Sequence, residues 1–226
     1  MKRLFLSLIF VLCLATNSWA VTASDTLASY GDGNLSVLNA NWPILNIDEG
    51  SLFIASGSAD VDVFFGSNYR GDISPGASQF SQVQITQLNV VNEAWVKLFV
   101  RAQAADSITD TYICVAVRNA QGSPYSIGTT SVISVVSGTI ESLIASESST
   151  SWSAGDTPKC AMTGTTITMY RNDVALLSTT NGSYATGNVG FGLFSDRYSG
   201  GDTFLNNWLG GDISVVGTAR HRPVIQ

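Results

Sequence analysis

Short apolar runs recur along the chain, and Gly, Asn, Asp and Ser interrupt them every few residues. Beyond residue 21 no helical period emerges. Val, Ile, Thr and aromatic residues instead alternate with polar ones, which is the period of a half-buried strand bounded by turn chemistry. The pattern predicts strands at Ser51–Ala55, Val61–Phe65, Ser81–Leu88, Ala94–Ala102, Thr111–Arg118 and Ser131–Val136. It predicts further strands at Lys159–Met162, Thr166–Arg171, Val174–Thr179, Gly190–Ser195 and Leu205–Asp212. Asn172-Asp173 suits a two-residue type I′ turn, because both residues tolerate positive φ. Gly164 breaks the chain between two further strands. No repeat of fixed period is visible, which argues against a propeller or solenoid.

Alternation also assigns faces. In residues 94–102, Trp95, Lys97, Phe99 and Arg101 point one way and Val96, Leu98 and Val100 the other. In residues 111–118, Tyr112, Cys114, Ala116 and Arg118 oppose Ile113, Val115 and Val117. In residues 81–88, Gln82, Gln84 and Thr86 oppose Val83, Ile85 and Gln87. The aliphatic sets are expected to enter a core between two sheets and the mixed sets to look outward. Three neighbouring strands of this kind would form one broad sheet with a polar outer face dotted with aromatics.

The N-terminus follows a different pattern. Lys2 and Arg3 precede an apolar stretch from Leu4 to Ala15, and Ser18-Trp19-Ala20 offers a small-x-small cleavage site, with Val21-Thr22-Ala23 as a later alternative. Residues 1–20 therefore read as a secretory signal peptide. The competing reading, a membrane anchor, needs about 20 apolar residues. The expected organisation is a signal peptide over 1–20, one domain over 21–216 and a flexible polar tail over 217–226. The expected location is extracellular, periplasmic or on a cell surface, with no membrane span in the mature chain.

Charge narrows the partners. Without Lys2 and Arg3, nine basic residues face seventeen acidic ones, a formal charge of about −8. Such a chain repels phosphate backbones, so nucleic acid is excluded as a principal partner. Cys13 leaves with the signal, and Cys114 and Cys160 remain. An even pair in an exported chain suits a disulfide; two buried thiols are the alternative.

One segment has a more specific character. Gly155-Asp156 stands ahead of a strand, Gly164-Thr165 forms a turn, and Tyr170-Arg171-Asn172-Asp173 forms a hairpin. Gly187-Asn188-Val189-Gly190-Phe191 opens a later strand, and Asn206-Asn207-Trp208 lies in the last one. In this order, Ala154–Asp196 above all resembles the second half of the concanavalin A-like lectin/glucanase (laminin-G-like) superfamily. Asp25-Thr26-Leu27, Asn41-Trp42 and the strands of Trp95–Arg118 extend the resemblance over most of residues 24–213. The resemblance implies an all-β fold, a two-sheet antiparallel jelly-roll sandwich with ligands on a sheet face or the loop rim. Its members include lectins, glycan-binding modules, glycoside hydrolases, polysaccharide lyases and adhesion modules, so the fold leaves function open.

Glycoside hydrolysis needs two carboxyl groups flanking the scissile bond. Relatives of the laminarinase type carry Glu-x-Asp-x-Glu on one strand. Here the glutamates are Glu49, Glu93, Glu141 and Glu147, and no such motif exists. Asp60 and Asp62 form the nearest same-face acidic pair and are the candidates for catalysis; a solvated strand entrance or a cation site competes with that reading. His221 is the single histidine and lies in the tail, which leaves no His-based catalytic or metal cluster. A lyase-like set of Tyr112, Arg101, Arg118 and Gln84 would require all four to meet on the outer face.

Sugar binding asks less: rings that stack on pyranose faces and polar groups that satisfy hydroxyls. The expected ligand-binding residues are Gln82, Gln84, Lys97, Arg101, Tyr112 and Arg118, and their cations would suit an anionic glycan. Loop aromatics at Tyr69, Trp152, Tyr184 and Tyr198 could assist, whereas Trp42 and Trp208 read as core. The resemblance also implies a structural Ca²⁺ at the chain ends, for which Asp25, Asn207 and Asp212 are the candidates. Otherwise no cofactor is expected. Asn34-Leu35-Ser36 and Asn181-Gly182-Ser183 match glycosylation sequons. Three functions remain open: a non-catalytic carbohydrate-binding module, a glycan-cleaving hydrolase or lyase with an atypical site, and a structural or adhesion module of a virion or cell-surface assembly with a protein partner. The first is preferred, because the carboxylate motif is missing.

Overall fold

A computed structural model describes residues 22–45, 52–55, 58–61, 65–88, 94–103, 110–118, 130–136, 139–148, 150–195 and 203–213. In chain order the strands are β1 (Thr22–Asp25), β2 (Gly33–Asn34), β3 (Leu52–Ala55), β4 (Ser58–Val61) and β5 (Phe65–Tyr69). Next come β6 (Gln79–Gln87), β7 (Ala94–Gln103), β8 (Asp110–Arg118), β9 (Thr130–Val136) and β10 (Thr139–Glu147). The last are β11 (Pro158–Thr163), β12 (Thr166–Arg171), β13 (Val174–Thr180), β14 (Asn188–Ser195) and β15 (Phe204–Asp212). A 3-10 turn at Leu27–Ser29 and a one-turn helix α1 at Leu35–Leu38 are the helical elements among the described residues.

Two antiparallel sheets form the sandwich. One has nine strands in the order β13-β12-β11-β6-β15-β4-β3-β2, with β1 also paired to β15; the other has six in the order β10-β9-β8-β7-β14-β5. This is the two-sheet jelly-roll class that the resemblance implied. Local turn chemistry sets two hairpins of the larger sheet. Asn172 and Asp173 both take positive φ, 51° and 63°, between paired Arg171 and Val174. Gly164, at φ 58°, turns the chain between paired Thr163 and Thr166.

Three expectations need correction. First, β6 belongs to the nine-stranded sheet, while β7 and β8 belong to the six-stranded one. The alternating pattern of a strand carries no record of which sheet it joins. Second, β8 faces the opposite way. Tyr112, Cys114 and Ala116 enter the core with Val96, Leu98 and Val100 of β7, and Ile113 and Val115 lie on the far side. Both faces of β8 are buried, so apolar character cannot tell them apart. Third, Val61 ends β4 and Phe65 begins β5, so Val61–Phe65 is not one strand. β1, β2 and β10 escape the alternation rule: β1 and β2 are very short, and β10 carries two register shifts.

The main core lies between the sheets. Val83, Ile85, Cys160, Met162, Ile167 and Met169 from the larger sheet meet the β7–β8 set and Val189, Phe191 and Leu193 of β14. Trp42 packs edge-on against Trp208 and Phe191, with ring centroids 4.8 and 5.2 Å away. Trp152 is also fully buried and donates Nε1–H to Thr130 Oγ1 at 3.1 Å; it is core rather than a loop platform. A disulfide joins Cys114 on β8 to Cys160 on β11, tying the two sheets through the core. A second apolar cluster lies on the far face of the six-stranded sheet and contains Leu45, Trp95, Phe99, Ile113, Val115, Ile133 and Val135. That sheet is apolar on both sides, which explains its near-continuous hydrophobic strands.

Candidate functional site

The nine-stranded sheet sends alternate residues of β6, β11 and β12 into the core and their neighbours outward. Strand register arranges the outward residues in rows across the sheet. One row runs Tyr170, Lys159, Gln82, Leu209. The next runs Thr168, Ala161, Phe80, Gly211, Thr22. Thr163 and Thr166 begin a third. Small Ala161 and Gly211 leave room on either side of Phe80 in the second row. The result is a cleft of about 660 Å³ whose lining also includes Asp173, Asp212 and Ile213. From β12 to β1 the rows extend about 19 Å, at the usual strand spacing.

Chemically the cleft is amphipathic. Phe80, Leu209 and the Tyr170 ring supply apolar surface; the Gln82 amide and threonine hydroxyls supply donors and acceptors. Lys159 Nζ donates to Asp173 and sits 4.8 Å from the Tyr170 ring centroid. Asp212 accepts the Gly76 N–H at 2.6 Å. Next to the cleft, Asp156 braces the hairpin that carries Tyr170 and Asp173. It is ion-paired to Arg171 Nε at 2.9 Å, and it accepts Asn172 Nδ2 at 2.9 Å and the Ser153 N–H at 2.8 Å. Burial pushes its carboxyl up, but these hydrogen bonds and the Arg171 charge outweigh burial and hold it below the ordinary carboxylate range.

The six expected ligand-binding residues do not share a surface. Gln82 lines the cleft. Gln84 is on the same face and accepts Asn207 Nδ2 at 2.8 Å. Lys97 is on the other sheet, buried, with Nζ 5.8 Å from the Trp95 ring centroid. Arg101 is only 2 % exposed, and its Nη atoms donate to the carbonyls of Tyr184, Ala77 and Gly164. Tyr112 is buried and its hydroxyl donates to Asn181 Oδ1 at 2.6 Å. Arg118 ends β8, and its side chain lies outside the described residues, as do Asp62, the Asp60 side chain and Tyr198. The lyase-like set therefore has no common face. Arg101 is buried near the end of β7 where three backbone carbonyls take its donors, and Tyr112 because its face of β8 enters the core; alternation treats both as surface residues.

Of the proposed calcium ligands, Asn207 adjoins Asp25 across β1 and β15 but donates Nδ2 to Gln84 Oε1 at 2.8 Å, and Asp212 is separated from both. Asp25 pairs with Trp208 across β1 and β15, and Asp212 lies four residues further along β15, about 13 Å away. Asp25 Oδ2 already accepts Trp42 Nε1 at 2.7 Å and the Tyr30 hydroxyl at 2.8 Å, and it faces Arg70 Nη1 at 3.4 Å. Arg70 stacks over Trp42 and Trp208 and forks onto Asp72 at 2.6 and 2.7 Å. A cation of the protein itself thus stands where the sequence suggested a metal. Among the described residues no cluster of three or more His, Cys, Asp or Glu side chains could hold an ion.

The residues that the sequence reading missed were Phe80, Lys159, Thr168 and Tyr170. Their signal was present. Residues 158–171 alternate more cleanly than β7 or β8, and their outward set is the mixed polar and aromatic one.

No family model and no curated protein sequence matches this chain. Its architecture is nevertheless shared. A Bacillus subtilis protein of unknown function with a galectin-like fold superposes with a TM-score of 0.55 at 10 % identity, over 81 % of this chain and 98 % of that one. The Ca²⁺-bound exoplasmic/lumenal domain of VIP36 superposes with a TM-score of 0.52 at 10 % identity, over 81 % and 88 %. The Ca²⁺/Man3GlcNAc-bound form of that domain gives 0.50 at 10 % identity, over 81 % and 86 %. At such identities the likeness concerns the fold, and the fold of this chain is the concanavalin A-like jelly roll.

Proposed function

We propose that this protein is an exported carbohydrate-binding protein that holds a glycan across the outward face of its nine-stranded sheet. The carrying observation is the cleft itself. It sets two aromatic rings among hydroxyl and amide groups on paired strands, with a volume in the range of small-ligand sites. Rings at Phe80 and Tyr170 offer stacking surfaces for pyranose faces, while Gln82 and Thr168 can exchange hydrogen bonds with sugar hydroxyls. Backbone pairing holds these groups in place, so binding costs little ordering entropy. The VIP36 domain, which shares the fold, has Man- and Man3GlcNAc-bound forms, and this supports the reading. Binding without cleavage fits the carboxylates better, since Asp173 is bonded to Lys159 and Asp212 to a backbone amide.

A glycan array followed by isothermal titration tests the site. The double variant Phe80→Ala/Tyr170→Ala is expected to weaken binding by at least about tenfold, from the loss of two stacking rings. Unchanged affinity in a folded double variant would remove the cleft from consideration.

Export is part of the same reading. It is supported by the signal-like residues 1–20 and by a disulfide that an oxidising compartment maintains. Mass analysis of the protein recovered from its native location is expected to show a chain starting at Val21. An intact Met1 terminus on that protein would contradict it.

A further inference from the structure

Resting on the glycan-binding reading, we infer that the ligand of this cleft is an electrically neutral oligosaccharide. The expected anionic ligand depended on Arg101, Lys97 and Arg118 sharing a face with Gln82. The structure instead buries Arg101 beneath three carbonyls and places Lys97 on the other sheet. Lys159 is the one cation among the residues lining the cleft. Its ammonium is bonded to Asp173 and lies against the Tyr170 ring. Asp212 adds a second carboxylate, so the lining carries one cation and two anions.

A uronate or sulfate group entering this surface would have to displace Asp173 from Lys159. It would also sit beside Asp173, within a Debye length of about 8 Å at physiological salt, and Asp212 adds a second negative charge roughly 14 Å further along the cleft by strand spacing. The uncharged lining that remains suits hydroxyls: the half-buried Gln82 amide, the hydroxyls of Thr163, Thr166 and Thr168, and the half-buried rings of Phe80 and Tyr170. The rows extend about 19 Å across the strands, which suits a chain of sugars better than a single ring.

The experiment titrates the wild-type protein with two sets of oligosaccharides of matched length. The neutral set comprises glucan, mannan, galactan and fructan fragments; the anionic set comprises polygalacturonate, alginate and heparan sulfate fragments. Tyr170→Ala and Asp173→Asn variants are measured in parallel, and asparagine keeps the positive φ of the turn. At least one neutral fragment is expected to bind about tenfold tighter than every anionic one. Its affinity should change by less than about twofold between about 50 and 500 mM salt, and Tyr170→Ala should weaken it. Asp173→Asn should raise affinity for anionic fragments by about threefold or more, because it unmasks Lys159. An anionic fragment that binds most tightly, weakens with salt and is lost in Tyr170→Ala would overturn the neutral assignment while keeping the cleft. Binding by neither set, or binding indifferent to Tyr170→Ala, would instead overturn the glycan reading itself.

Discussion

Arg101 shows how one side chain can be misplaced by pattern and explained by packing. Its backbone takes φ 54°, in the left-handed region, and its N–H donates to Gln79 Oε1 at 2.8 Å. The guanidinium then reaches carbonyls from three separate segments, at Ala77, Gly164 and Tyr184. Nε is buried without a partner among the described residues, and desolvation holds the group below its ordinary pKa. Arg101 is thus a staple between chain segments, ion-paired to no carboxylate among the described residues. Arg101→Met is expected to cost roughly 3 kcal/mol in denaturant unfolding, since three part-buried hydrogen bonds from a charged donor are lost. A change below about 0.5 kcal/mol would mean that those carbonyls find other donors. Asp156 makes a pH-dependent contribution. Its folded-state pKa is depressed, so its stabilisation is complete above an unfolded value of about 3.9 and disappears as pH falls through the folded one. Melting temperature should therefore fall below about pH 4, and Asp156→Asn should flatten that fall. Parallel curves for the two proteins would assign the acid sensitivity elsewhere, with Asp72, whose hydrogen bond from Arg70 lowers its pKa, the next group to test.

At the scale of elements, legibility depended on how many faces a strand buries. β11, β12 and β13 bury one face or less, carry their turn residues at the right positions, and lie where the alternation placed them. β7, β8 and β9 are buried on both faces, so apolar and polar positions no longer distinguish inside from outside. The register settles what composition could not: Leu98 opposes Cys114, and Val96 opposes Ala116, so β8 follows β7 into the same core. β14 has a related constraint. A Cβ at Gly190 would lie 2.3 Å from Asn68 O and 2.6 Å from Tyr69 Cα, so glycine lets β5 approach β14. The Gly187–Phe191 motif that carried the family resemblance therefore has a packing cause on this strand.

The whole molecule is two sheets held by a shared apolar core and one covalent bridge. Cys114 and Cys160 are 46 residues apart in sequence and come from opposite sheets. Closing a loop of that length restricts the unfolded chain by about 4 kcal/mol in the chain-entropy description. Cys114→Ala/Cys160→Ala is expected to lower unfolding free energy by several kcal/mol, and reduction of the wild type to do the same. Insensitivity of the melting temperature to both changes would show that the core alone holds the sheets together. The cleft belongs to this scale too, because no single strand contains it. It needs β6, β11, β12 and β15 side by side, and those strands are scattered through the chain.

From the sequence alone follow the all-β class, the hairpin turns at Gly164 and Asn172-Asp173, and the missing glucanase motif, because each depends on local period, local φ preference or residue identity. Sheet membership of β6, the inward turn of Tyr112 and Cys114, the contact of Arg70 with Asp25, and the assembly of the cleft were decided by tertiary structure. The physical reason is common to all four. Each depends on which distant backbone a strand pairs with, and alternation reads the same whichever partner is chosen.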